Sequence, residues 1–297
     1  MAPNSSDHQL TNHLSWRAGC GENRTSGSAG GLGKRTQEQS RHRAPSRPNW
    51  RHRGYEWCVT VLIDLTPVRD GTGPARLVDM IEGRSKAAFK AWLAARPKSW
   101  RGRVEVVAMD GFTGYKTAAN EELPQAVTVM DPFHVVSLAG DALDETRREV
   151  QQATTGRRGT AKDLLYRARR TLLTGLDLIT VRQAERLDAL FTDERNTPVE
   201  VAWSVYQKMI SAYRHADPAQ GKHLMSRLIG SITAGVPAGI EEVARLGRTL
   251  NRRKDDVLAY FDHPGSSNGP TEAICESGGG WSGIGWSGWM SVASTRV

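Results

Sequence analysis

Two kinds of apolar pattern alternate between about Tyr55 and Ile274, and neither continues beyond that stretch. Trp57-Cys58-Val59-Thr60-Val61-Leu62-Ile63 is a short β-branched run, and Arg76-Leu77-Val78-Asp79-Met80-Ile81 is a second. The break from Arg69 to Pro74 between them predicts a hairpin. Ser85 is placed to cap a helix over Lys86 to Ala95, with Phe89, Trp92 and Leu93 on one face and Pro97 as its stop. A third strand over Arg103 to Met109, a short helix from Tyr115 to Glu122 and a fourth strand over Ala126 to Met130 follow. The order ββαβαβ implies parallel crossovers in a mixed sheet. From Phe133 to about Phe261 the period changes to that of helices, as in Trp203, Tyr206, Met209, Ile210 and Tyr213. These apolar stripes are what helical packing requires. The prediction is an α/β sheet followed by a helical bundle.

Both ends depart from this pattern. Residues 1–54 are Ser, Gly, Asn, Arg and His with almost no periodic apolar positions, and residues 275–297 open on a Gly/Ser/Trp mixture. Such segments bury too little to offset ordering entropy, so both ends are expected to be disordered. Charge sharpens the asymmetry. The chain has 297 residues and a net charge of +8, but residues 1–54 hold nine basic side chains against three acidic ones. A net positive charge points to a polyanionic partner, yet here most of it lies outside the periodic region. No apolar run approaches the roughly 20 residues of a membrane span, and the amino terminus lacks a secretory h-region. Cys20, Cys58 and Cys275 are too few and too widely spaced for a disulfide framework or a Cys-x-x-Cys zinc ribbon. A reducing, cytoplasmic setting is expected.

Three places carry candidate chemistry. Asp110 and Asp131 each end a predicted strand, in Met109-Asp110-Gly111 and Met130-Asp131-Pro132. Open α/β sheets place ligands at such carboxyl ends, although an aspartate there is equally suited to capping the next helix. His134 follows Asp131 by three residues, so one helical turn returns its imidazole towards the carboxylate. Glu272 follows the turn Ser266-Ser267-Asn268-Gly269-Pro270. With Asp110 it can complete a carboxylate cluster for Mg2+ or Mn2+, the arrangement that activates water in phosphodiester cleavage. On a helix read over Ile240 to Tyr260, Arg245, Arg248 and Arg252 share one side with Arg253 and Lys254 adjacent, a solvated basic face or one that neutralises DNA phosphates.

The segments Val61 to Pro67, Leu77 to Lys86, Val104 to Tyr115, Val129 to Val136 and Val257 to Ile274 resemble, in that order, the catalytic domain of bacterial insertion-sequence transposases of the ISL-three family, which are DDE enzymes. The resemblance implies a ribonuclease-H-like α/β core over residues 55–132, a large all-helical insertion over 133–262 and the start of the final catalytic helix over 263–274. It implies that Asp110 and Glu272 are the second and third catalytic carboxylates and metal ligands, and that Asp131 and His134 form an accessory motif. The partners it implies are double-stranded DNA at element ends, target DNA and further copies of the chain, in the bacterial cytoplasm at the nucleoid. The implied reaction is cleavage of DNA by metal-activated water, followed by attack of the freed 3′-hydroxyl on target DNA.

The departures from the family pattern matter as much. Where the family carries its first catalytic aspartate, just before Trp50-Arg51-His52, this chain has Ser46. Asp64 matches a different family position. After Ile274 the family's basic helix gives way to Cys275-Glu276-Ser277-Gly278, and the family's zinc-ribbon and helix-turn-helix regions have no counterpart before Trp50. A frameshifted or truncated, inactive transposase copy is the expectation. A non-catalytic DNA-binding remnant or regulator of an intact transposase is the alternative, and a metal-dependent nuclease outside transposition is a third.

Overall fold

The computed structural model describes residues 59–157, 159–237, 239–267, 269 and 290–293. The leader with Ser46, the segment 277–288 and Glu272 therefore lie outside the described residues. The described chain is mixed α/β and mostly helical. Its sheet is built from β1 (Val59–Asp64), β2 (Arg76–Glu82), β3 (Val106–Met109), β4 (Val127–Met130) and β5 (Met290–Ala293), in the spatial order β2-β1-β5-β3-β4. The predicted hairpin is present: β1 and β2 pair antiparallel, with a bulge between Leu62 and Ile63. β3 and β4 pair in parallel, joined through helix α4 (Thr113–Glu122).

The alternation of side chains along each strand decides what covers each face. Leu62, Val107 and Met109 pack with Phe89, Trp92 and Leu93 of α2 (Lys86–Ala94) and with Tyr115 and Ala118 of α4. Val61, Ile63, Val106, Ala108 and Val129 point the other way, against Ala259 and Tyr260 of a helix near the end of the helical region. All four residues of β3 are buried, as in a strand covered on both faces. Ser85 caps α2 as predicted, its hydroxyl accepting from the Ala88 amide. Two single-turn helices, α1 (Thr66–Arg69) and α3 (Lys98–Arg101), occupy what the sequence presents as loops.

The helical region comprises α5 (Pro132–Thr155), α6 (Leu164–Leu172), α7 (Val181–Phe191), α8 (Thr197–Tyr213), α9 (Pro218–Ala234), α10 (Glu241–Arg252) and α11 (Lys254–Asp262). Its core, which includes Val135, Leu143, Met209, Ile229, Leu250 and Val257, runs into the sheet through Met130. Gly156, at φ 70°, ends α5 in the left-handed conformation that glycine adopts without a Cβ penalty. No described helix is long and apolar enough to cross a membrane.

Two expectations are corrected. The single helix read over Ile240 to Tyr260 is broken at Arg253, which separates α10 from α11. Part of the tail expected to be disordered is not: Met290–Ala293 forms β5, antiparallel to all four residues of β3 and bridging β1 in parallel at Asp64 and Val292. Composition cannot reveal this, because the strand is specified by the backbone donors and acceptors that β1 and β3 present to the gap between them.

Candidate functional site

The parallel register of β3 and β4 sets Met109 opposite Met130, so Asp110 and Asp131 leave the sheet side by side. The Asp131 amide donates to the Met109 carbonyl at 2.8 Å, extending the ladder by one residue. Asp131 caps α5: its Oδ2 accepts the His134 amide at 2.9 Å. Its Oδ1 accepts the Ser267 hydroxyl at 2.8 Å. That bond draws the segment after α11, which leads towards Glu272, to the end of β4. The His134 ring lies over the Asp110 turn, since a Cβ on Gly111 would meet its Nε2 at 2.6 Å. Only glycine permits this approach. Asp110, Asp131 and the His134 ring thus lie at one end of the β3-β4 pair, with the Asp131 carboxylate bonded to the His134 amide.

Both Asp110 oxygens are already engaged. Oδ1 accepts the Phe112 amide at 2.8 Å and Oδ2 accepts Arg84 Nη2 at 2.8 Å. The Arg84 guanidinium also sits 5.4 Å from the centre of the Phe112 ring. Arg84 follows β2 in Gly83-Arg84-Ser85, inside the family-like segment Leu77 to Lys86 but with no periodicity or spacing that singles it out. Because Asp110 is buried and charge-paired, Arg84→Ala is expected to cost about 1–3 kcal/mol of stability. In an Asp110→Asn background the same substitution should cost much less. A double-mutant cycle by urea unfolding measures the coupling, and a value below about 0.3 kcal/mol would disprove the pairing.

Behind this turn lies a buried charge cluster that sequence reasoning missed. Asp256, 3% exposed, accepts from Lys116 Nζ at 2.8 Å, from the Thr128 hydroxyl at 2.7 Å and from Arg253 Nε. Arg253 Nη1 in turn donates to the Gly111 carbonyl at 3.1 Å. Expected on a DNA-facing side, Arg253 is 7% exposed and spent inside the protein. The break between α10 and α11 turns it inward. Arg245 pairs with Glu145 on α5. Arg248 and Arg252 are exposed on α10, and Lys254 is half-buried at the start of α11. Among the described residues, these three form no ion pair. A cavity of about 530 Å³, lined by Gly111, Lys116, His134, Met130, Arg252 and Arg253 among others, opens beside the strand-end aspartates.

Two tyrosines wall the far side of Asp131. Burial first, and then the Asp131 carboxylate, raise the hydroxyls of Tyr213 and Tyr260 above the ordinary tyrosine range, so both stay neutral. Asp64 is no part of this site. Its Oδ1 accepts the Thr66 amide at the start of α1, and β1 runs opposite to β3, so Asp64 leaves the sheet towards the other end. Among the described residues Asp110 belongs to no group of three ligating side chains. Arg84 holds one Asp110 oxygen and a backbone amide the other, and Glu272, the co-ligand that the family resemblance implies, lies outside the described residues.

The profile of a transposase family, the DDE transposases of the ISL-three type, matches residues 50–277. The transposase for insertion sequence element IS1001 of Bordetella parapertussis is 27% identical over 245 residues, which cover 77% of this chain and 57% of that protein. The chain thus spans little more than half the length of this curated relative. No solved structure matches it significantly.

Proposed function

Because the chain belongs to the ISL-three family of transposases, we propose that it acts in DNA transposition as a ribonuclease-H-like domain that binds DNA but does not complete strand cleavage and transfer. The Arg84–Asp110 pair carries this reading, since the guanidinium holds a carboxylate oxygen that a catalytic cation needs. Ser46, standing where the family has its first aspartate, supports it from the sequence. The order of elements, with Asp110 and Asp131 on adjacent parallel strands and seven helices between Asp131 and the Glu272 turn, supports the ribonuclease-H-like assignment. The Mg2+ or Mn2+ chemistry of the family would require Arg84 to leave Asp110. DNA lies along Arg248, Arg252 and Lys254 and reaches the cavity beside His134. In this reading Asp131 serves as the cap that fixes α5 and His134 above the turn.

Gel-shift titration of duplex DNA over a range of salt tests the binding. Log affinity should fall linearly with log salt, and replacing Arg248 and Arg252 together by alanine should reduce the slope by about 2. A slope of zero excludes phosphate contacts. Incubation with Mg2+ or Mn2+ should yield no cleaved or joined product; metal-dependent cleavage abolished by Asp110→Ala would overturn the reading.

A further inference from the structure

The described residues hold one group of three acidic side chains close enough to share an ion, and it lies away from the strand ends. Glu149 is on α5, while Glu241 and Glu242 are the first two residues of α10, the helix packed against it. One ligand oxygen of each lies within 4.8 Å of the other two. No Lys, Arg or His among the described residues pairs with any of them. Three basic residues on these two helices are committed elsewhere: Arg245 to Glu145, and Arg147 and Arg148 to Asp144.

An acidic first turn is ordinary for a helix, whose amino-terminal dipole favours carboxylates. Glu242 is not ordinary. It is 6% exposed, and its Oε2 is buried without a hydrogen-bond partner. A buried carboxylate with an unpaired oxygen, set beside two further carboxylates, is unfavourable unless a positive charge joins them.

We propose that Glu149, Glu241 and Glu242 bind a hard divalent cation of the Ca2+ type that staples α10 to α5. All three donors are carboxylate oxygens, the class that such ions select. Glu149 and Glu241 are exposed at the rim, leaving room for water to complete the six to eight ligands Ca2+ takes. Mg2+, which demands a near-ideal octahedron, fits a cluster on two separate helices less well. The site is structural and independent of Asp110.

Thermal unfolding of the full chain after EDTA treatment, titrated with Ca2+ alone at pH 7.5, tests this. The midpoint should rise saturably, by roughly 5–10 °C at a hundredfold excess over Kd. Glu149→Gln and Glu241→Gln, both at exposed positions, should together abolish the rise, whereas Asp110→Asn should retain it. A midpoint indifferent to Ca2+ in the unmutated chain, an unchanged rise in the double variant, or loss of the rise in Asp110→Asn would each overturn the site. Stabilisation on lowering the pH from 7 to 5 without any response to Ca2+ would show that a shared proton, not a cation, relieves the cluster.

Discussion

Replacing Asp256 with alanine is expected to destabilise the protein by about 3–5 kcal/mol, the cost of stranding buried charges whose counter-charge is removed. Lys116 and Arg253 both lose that partner, and Thr128 loses its acceptor. At roughly 2–4 °C per kcal/mol for a chain of this size, the thermal midpoint should fall by about 6–20 °C. Urea unfolding checks the magnitude; a loss under about 1 kcal/mol would mean that water already screens the cluster. The same variant should accelerate amide exchange around Gly111, whose carbonyl Arg253 holds. Burial by itself raises the Asp256 carboxyl, but Lys116, Thr128 and Arg253 outweigh it and hold the group below its ordinary value of 3.8. A depressed folded-state value contributes stability that is complete above the unfolded value, near pH 4, and disappears as the pH falls through the lowered one. The unmutated chain should therefore lose stability steeply below about pH 4, and Asp256→Asn should flatten that part of the curve.

Deleting residues 290–297 is expected to have a comparable effect. β5 lies between β1 and β3, so its removal divides the five-stranded sheet into the pairs β2-β1 and β3-β4. Each ladder hydrogen bond lost costs about 0.5–1.5 kcal/mol, and the opened edges become templates for aggregation. Hydrogen exchange at those amides of Val106 to Met109 that point to β5 should rise towards the level of exposed amides, while those bonded to β4 stay protected. Val292→Pro offers the same test without truncation, since proline removes one ladder donor from a central strand at about 3 kcal/mol or more. Unchanged exchange in β3 would show that the sheet does not depend on β5.

These two expectations separate what local pattern encodes from what it does not. The β1 to β4 order, the Ser85 cap, the face of α2 and the helical region were all legible, because each depends on residues within one or two turns of one another. The convergence of Asp110, Asp131 and His134 was legible for the same reason: two successive strands in parallel register place their ends together. Arg84, Lys116, Asp256 and Ser267 were not. Each acts on a partner between 26 and 140 residues away, and a polar side chain gives no periodic signal of such a partner.

Arg253 shows the limit most directly. By spacing it belongs to the basic face of one long helix; a break in that helix turns it inward to a buried carboxylate. The tail shows the complementary limit, since Met290–Ala293 carries no pattern of its own and becomes a strand where β1 and β3 supply unpaired backbone. The sequence by itself determined strands β1 to β4, the helical region, the family and the strand-end acids, all of which follow from local periodicity and motif order. Only the tertiary structure decided which charges meet: Arg84 on Asp110, Arg253 on Asp256, and Glu149 beside Glu241 and Glu242. The physical reason is that burial strengthens electrostatic pairing, and burial is a property of the assembled chain.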